Sequence, residues 1–352
     1  MRAATLCAVL ALVALSGCAN KMDRIIMKGP IAASMEASDL DMICTSALAN
    51  IPAVQGFLRD KPPHRSLAVL EVTASACDEV QAWEAALAAE RAMRTLQGNA
   101  MLETVTDLRL KERRLQTRAA ARMWSAFGHV EAKYGPIGEG CAKLPKREDE
   151  VAFVLGLFAG ANALLQDKLG GGHVGVPADT IVKVGRAAEC VDDETWWYAP
   201  SAIRAGWWVM VPGSVPEGID PWEAMEEAAT KGDASGVRVA RAVQAQLAAN
   251  AGRDDVVEHA IRALAEAKAK VPSDPDYLLL DLYSGLIVQQ QSDLIWTKAV
   301  GSRTPIFGEL PSDAADEAIE DPFGGGDPFG EDDPFAEPGN DAPADHTDKD
   351  PQ

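Results

Sequence analysis

From Ser38 to Val300 apolar residues return every three or four positions, while alternating β-branched runs are scarce; this is the spacing of amphipathic helices packed on one another. Alanine and leucine dominate, and aromatic residues make up only 6% of the chain. With 47% apolar residues over 352 positions, one large or two modest domains can bury a core. The expected fold class is all-α. Ser38 reads as an N-cap, with Asp41 at the third helical position and Leu40, Ile43, Ala47, Leu48 and Ile51 following at helical spacing. Residues 65–96 continue as an alanine-rich amphipath carrying Leu67, Leu70, Ala74, Cys77, Val80 and Ala82, broken at Gln97-Gly98-Asn99. Residues 101–134 close at Gly135-Pro136, and their charged middle, Lys111-Glu112-Arg113-Arg114, reads as a solvated face. The run 151–160 is apolar on nearly every side and belongs at the centre of the molecule. Three shorter helices, 177–190, 200–211 and 221–231, each begin at or near a proline.

The amino terminus speaks to compartment. Arg2 precedes an apolar run from Leu6 to Leu15, which is shorter than the roughly 20 residues of a spanning helix and ends in Leu15-Ser16-Gly17-Cys18. This looks like the lipobox of a bacterial lipoprotein. Residues 1–17 are then a cleaved export signal, Cys18 is the lipidation site carrying palmitate-type chains, and 18–37 form a lipidated tether. Each buried methylene adds about 0.8 kcal/mol to membrane attachment, so several acyl chains hold the protein durably. Ala19, rather than an acidic residue, follows Cys18, which by resemblance to sorting signals points to the periplasmic face of the outer membrane. The formal net charge of −20 argues against nucleic acid as a partner, because the summed field repels phosphate.

Once Cys7 leaves with the signal and Cys18 is consumed by lipid, Cys44, Cys77, Cys141 and Cys190 remain. Four cysteines in an oxidising compartment allow three pairings. An antiparallel hairpin of residues 38–57 and 65–96 would set Cys44 opposite Cys77, and a second, 149–167 and 178–191, is flanked by Cys141 and Cys190. Four buried free thiols are the alternative. Metal is not expected, since the cysteines and His64, His129, His173 and His259 are widely scattered.

Residues 233–277 contain a repeat-like pair: Leu247, Ala248 and Ala251 on one helix, Ala260, Leu264 and Ala267 on the next, then Pro272. The spacing matches a tetratricopeptide repeat, so the all-helical domain, 38–305, is expected to be a solenoid or bundle of helical hairpins, with a last helix from Asp276 as its cap. Residues 306–352 are read as a disordered acidic tail: from 309 onward there are fifteen acidic side chains against one lysine. Within it Asp-Pro-Phe recurs three times, offering Phe323, Phe329 and Phe335 as candidate anchors.

No nucleophile elbow, Walker loop or dinucleotide fingerprint is present, so neither an enzyme nor a cofactor is expected. The loop Gly170-Gly171-Gly172-His173 lacks the lysine and hydroxyl of a phosphate loop and reads as a flexible turn. What stands out is aromatic: five of the eight tryptophans lie between Trp196 and Trp222. Ile203, Trp207 and Met210 share a helix face, neighboured by Arg204 and Trp208. Trp197, Arg204, Trp207 and Trp208 are therefore candidate ligand contacts, an apolar lining with one cation for a carboxylate. Core filling is the competing fate of these residues.

The stretch from Tyr198-Ala199-Pro200 through Arg204-Ala205-Gly206-Trp207-Trp208 to Pro212-Gly213 resembles a segment of the TatT family, helical components associated with TRAP transporters. The lipobox, Arg113-Arg114-Leu115, Trp124, Tyr134-Gly135 and the tetratricopeptide-like unit agree with it, over roughly residues 18–275. Family glycine and leucine are replaced by Ala199 and Ala205, and the acidic tail is foreign. The resemblance implies a lipid-anchored protein that can form a homotrimer, docks a periplasmic solute-binding protein and handles small apolar organic acids. The alternative is an envelope scaffold lipoprotein that binds proteins and no small molecule.

Overall fold

The computed structural model describes residues 20–57 and 61–314; Cys18 and the tail residues Phe323, Phe329 and Phe335 lie outside them. Among the described residues all regular structure is helical. No described helix is long and apolar enough to cross a membrane. The chain divides at Pro311 into a helical unit and a second that starts at Ser312.

The segment expected as a tether is instead a docked helix. Residues 20–26 are helical and run through a π-helical turn, Met27–Ile31, into Ala32–Met35. Asp23, Met27, Ile31 and Met35 fall four apart and are all buried. Such a stripe is one residue wide, which is why the sequence pattern understates it. Asp23 takes over the capping of the next-but-one helix: its carboxylate accepts from the Ser66 amide at 3.1 Å and hydroxyl at 2.6 Å, and from Arg65 Nε at 2.7 Å.

Helix α1 spans Leu40–Phe57 and is capped by Asp39, not Ser38: Asp39 Oδ1 accepts from the Met42 amide at 2.8 Å. Helices α2 (His64–Thr95) and α3 (Gly98–Tyr134) form a long antiparallel hairpin about the break expected at Gln97-Gly98. Their polar contacts step along it in opposite directions: Glu90 with Arg109, Asp78 with Arg118 and Arg122, Glu71 with Ser125, His64 with His129. A disulfide joins Cys44 to Cys77 across α1 and α2, Cα atoms 5.6 Å apart. Helix α4 (Arg147–Gly170) is the hub, as its apolar run implied; Ala152, Phe153, Leu157, Ala159 and Ala163 are sealed from solvent. Gly156 and Gly160 let it close on α3, because a Cβ there would sit 2.2 Å from Val130 and 2.6 Å from Phe127.

Helix α5 (Thr180–Ala188) leads to Cys190, which is disulfide-bonded to Cys141 in the loop after α3. Then come α6 (Ala199–Met210), α7 (Pro221–Ser235), α8 (Val239–Ala251), α9 (Asp254–Lys270) and α10 (Leu278–Val300). In the tetratricopeptide-like pair α8–α9, Ala248, Ala260 and Leu264 are fully buried, joined by Ala245 and Ile261. Successive helices pack on one another, but α10 is no cap. It returns onto α2, with Tyr283 stacked on Trp83, Arg94 donating to the Lys298 carbonyl and Arg303 paired with Glu84, closing the stack into a bundle. Apolar residues on several sides of α10, including Leu279, Tyr283, Ile287 and Trp296, make this return possible. The folded unit also runs past the expected boundary at 305, since Leu310 is buried and Trp296 Nε1 donates to the Glu309 carbonyl.

Candidate functional site

The aromatic segment before α6 is held in an unusual backbone conformation. Trp197 and Tyr198 have φ of 55° and 56°, the left-handed region that side chains other than glycine rarely occupy. The surrounding packing enforces it. Trp196 and Trp197 form a knot with Tyr277, ring centroids 4.6 to 6.2 Å apart, over which Arg147 lies while donating to the Tyr277 hydroxyl at 3.1 Å. Trp196 Nε1 donates to Glu150 at 3.0 Å. These rings tie the start of α6 to α4 and to the turn before α10.

The four residues expected to share a ligand site are not brought together. Arg204 is engaged from three sides: Asp193 at 2.8 Å, the Ser201 hydroxyl at 2.7 Å and the Ala188 carbonyl at 3.4 Å. A carboxylate ligand would have to displace Asp193, a carboxylate already in place. Trp207 lies over Gly185 of α5, where a Cβ would meet its ring at 2.5 Å. Trp208 packs on the other side, against the cluster of Ala202, Ala205 and Met225. Trp197 alone lines a crevice. On a helix, adjacent tryptophans point about 100° apart, so Trp207 and Trp208 serve two different interfaces.

Two crevices do open beside α6, one on the face of Ile203, Gly206 and Met210 and the other nearer its start, at Ala199 and Ile203. One, about 40 Å³, lies between α4, α6 and α8; the other, about 30 Å³, is walled by Val72, Trp197 and Ile287. Phe158 and Ile203 line both. Cavities of that size admit one to a few waters rather than an organic acid.

Between them the structure places a group that sequence reasoning missed. Glu79 of α2 is sealed from solvent, and it bonds to one wall residue of each crevice: Tyr283 donates to Oε2 at 2.7 Å and Asn162 to Oε1 at 3.0 Å. Burial pushes its carboxyl up to about 7, against the hydrogen bonds of Tyr283 and Asn162, which hold it down. Ser75 Oγ donates to the Val72 carbonyl at 2.7 Å and, at a longer 3.4 Å, to Oε1. The available signal was positional: Glu79 stands seven residues after Val72 and three before Ala82, on a stripe whose other members are buried.

The glycine loop after α4 does cradle an anion, and the anion is its own Asp167. The amides of Val174, Gly175 and Val176 donate to that carboxylate at 2.8 to 2.9 Å, so the segment read as a flexible turn is fastened. Lys111, Arg113 and Arg114 are exposed on α3, as a solvated face requires. No family model, no curated protein and no solved structure matches the chain.

Proposed function

We propose that the chain is a lipid-anchored helical adaptor on the periplasmic face of the outer membrane, an envelope lipoprotein that holds proteins together. The lipobox ending in Cys18 supports the anchor and compartment. The observation that carries the adaptor role is Arg204: its guanidinium is neutralised by Asp193, and the apolar crevices beside it, about 40 and 30 Å³, are water-sized. On this reading Arg204→Ala leaves carboxylate binding unchanged in titration calorimetry. It lowers stability by about 1 kcal/mol, the worth of a partly exposed ion pair. A loss of carboxylate affinity in that variant would reject it. Crosslinked pull-down from intact cells, with and without residues 309–352, identifies the proteins held.

A second reading keeps the role implied by the resemblance to the TatT family: a TRAP-transporter-associated component, a homotrimer docked to a periplasmic solute-binding protein and passing small apolar organic acids. What favours it is the shared wall of the two crevices, since turning Phe158 aside would join them next to Asn162. Under this reading Phe158→Ala binds hexanoate in calorimetry and retains acids in native mass spectrometry. Under the adaptor reading the variant only loses stability, by about 3–5 kcal/mol.

A further inference from the structure

A third and much larger recess lies at the other side of α2. It measures about 260 Å³ and runs between the N-terminal helix and helices α1 and α2. Ile26, Ile31 and Met35 face Ile43, Val54 and Leu70 across it. Its polar groups are turned to one another: Asn50 donates to Ser46 Oγ at 3.1 Å, and Ser34 Oγ donates to the Pro30 carbonyl at 2.8 Å. Thr73 Oγ1 likewise donates to the Val69 carbonyl at 2.8 Å, and what these groups leave is a mainly apolar slot. The π-helical turn Met27–Ile31, with Pro30 inside it, shapes one wall, and such turns displace the backbone locally.

The position of the slot selects its occupant. Cys18 is two residues before Asn20, so it lies within about 7 Å of the docked helix whatever path its backbone takes. Ile26, at the near end of the slot, is about 9 Å beyond Asn20 along that helix. A single acyl chain spans one leaflet, roughly 15 Å, and together with the glyceryl linker that joins it to sulfur it covers the roughly 16 Å at most that separate Cys18 from Ile26, so that its end enters the slot. A methylene occupies about the volume of a water molecule, roughly 30 Å³, so the recess has room for up to eight or nine of them. Met22 and Ile25, 41% and 55% exposed, continue the apolar surface toward the chain terminus.

We propose that the slot between the N-terminal helix, α1 and α2 receives one of the acyl chains carried by Cys18. The inference rests on the lipoprotein reading and extends it: the lipid packs against the folded body as well as entering the bilayer. The body is thereby held in one orientation at the membrane surface rather than swinging on a tether.

The test feeds cells a fatty acid with a terminal diazirine, irradiates intact membranes and maps crosslinks in the full-length protein by mass spectrometry. The expected product joins the Cys18 peptide to residues 40–57 or 64–77 within one chain. Val54→Trp, which fills the mouth, reduces that product roughly fivefold while intact mass reports unchanged acylation, because a filled slot excludes the chain. Ser46→Trp, at an exposed residue of the same lining, serves if that variant fails to fold. Acylated Cys18 with no crosslink to either segment overturns the inference and spares the lipoprotein reading. So do crosslinks indifferent to both tryptophans, or adducts on residues 40–57 and 64–77 that carry the mass of a phospholipid instead of the Cys18 peptide. A mature protein without acyl chains overturns both.

Discussion

Glu79 and His129 set opposite pH dependences on the same hairpin. The native Glu79 carboxyl keeps its proton up to about 7, whereas the unfolded chain loses it near the ordinary value of 4.5. Between those values the native state binds more protons, so stability falls as pH rises, by about 3 kcal/mol in all, and is level above pH 7. Glu79→Gln keeps an acceptor for Tyr283 and never ionises. Urea unfolding at pH 5 and pH 8 should therefore show a smaller loss in the variant; equal losses would mean that the native carboxyl is already ionised at pH 5. His129 works the other way. Its Nδ1 lies 3.0 Å from His64 Nδ1, its Nε2 is buried without a partner, and burial pushes it down to about 4 from 6.5. In that window the unfolded chain binds more protons, so stability is lost as pH falls from 6.5 toward 4. His129→Phe should remove this acid sensitivity in unfolding curves at pH 4.5 and 6.5. An unchanged acid limb would place the sensitivity elsewhere.

At the scale of elements, helix spacing follows side-chain volume. Gly160→Ala puts a Cβ 2.6 Å from the Phe127 ring at a close α3–α4 approach, and overpacking of this kind costs about 1–3 kcal/mol. Gly128 of α3 faces open space, so Gly128→Ala should instead stabilise, by roughly 0.5–1 kcal/mol. Thermal unfolding distinguishes the two by sign; stabilisation by both would mean that the helices can move apart freely. Much of this layer was legible in sequence, because helix stops and starts are local: the break at Gln97-Gly98, the prolines that open α6 and α7, the apolar hub α4 and the alanine-rich pair α8–α9. What was not legible depends on partners distant in the chain. Glu79 stands on the apolar stripe of α2, but what satisfies it there is invisible until Tyr283 and Asn162 arrive. Arg204 looks like a free cation until Asp193 is beside it, and α10 looks terminal until it folds over α2.

For the molecule as a whole, the N-terminal helix is fastened by one buried charge cluster that four elements share. Arg65 of α2 lies between Asp23 at 2.7 Å and Asp149 of α4 at 2.9 Å, and Tyr134 at the end of α3 donates to Asp149 at 3.2 Å. Both ion pairs are almost fully buried. A buried pair contributes little net energy over an apolar substitute, but removing one partner alone is costly, because it leaves an uncompensated charge and unmet donors. In Asp23→Ala, Arg65 keeps Asp149, the Ser66 amide loses its acceptor, and the Ser66 hydroxyl is left with the backbone carbonyl of residue 23 at 3.3 Å. The loss should be about 2–3 kcal/mol, somewhat below that of an orphaned pair. That energy is local to the docking of residues 20–35, so those residues should detach before the rest unfolds. Arg24 and Lys28 are exposed yet held in a helix, a conformation that resists protease. Trypsin under native conditions should therefore cut the variant first at these two positions, leaving a fragment that keeps α1 to α10. Wild type, whose helix detaches less often by the same roughly 2–3 kcal/mol, should be cut there about 30- to 150-fold more slowly. If both proteins were clipped at Arg24 equally fast, the N-terminal helix would be a tether after all, and the body would not be fixed to the membrane by it.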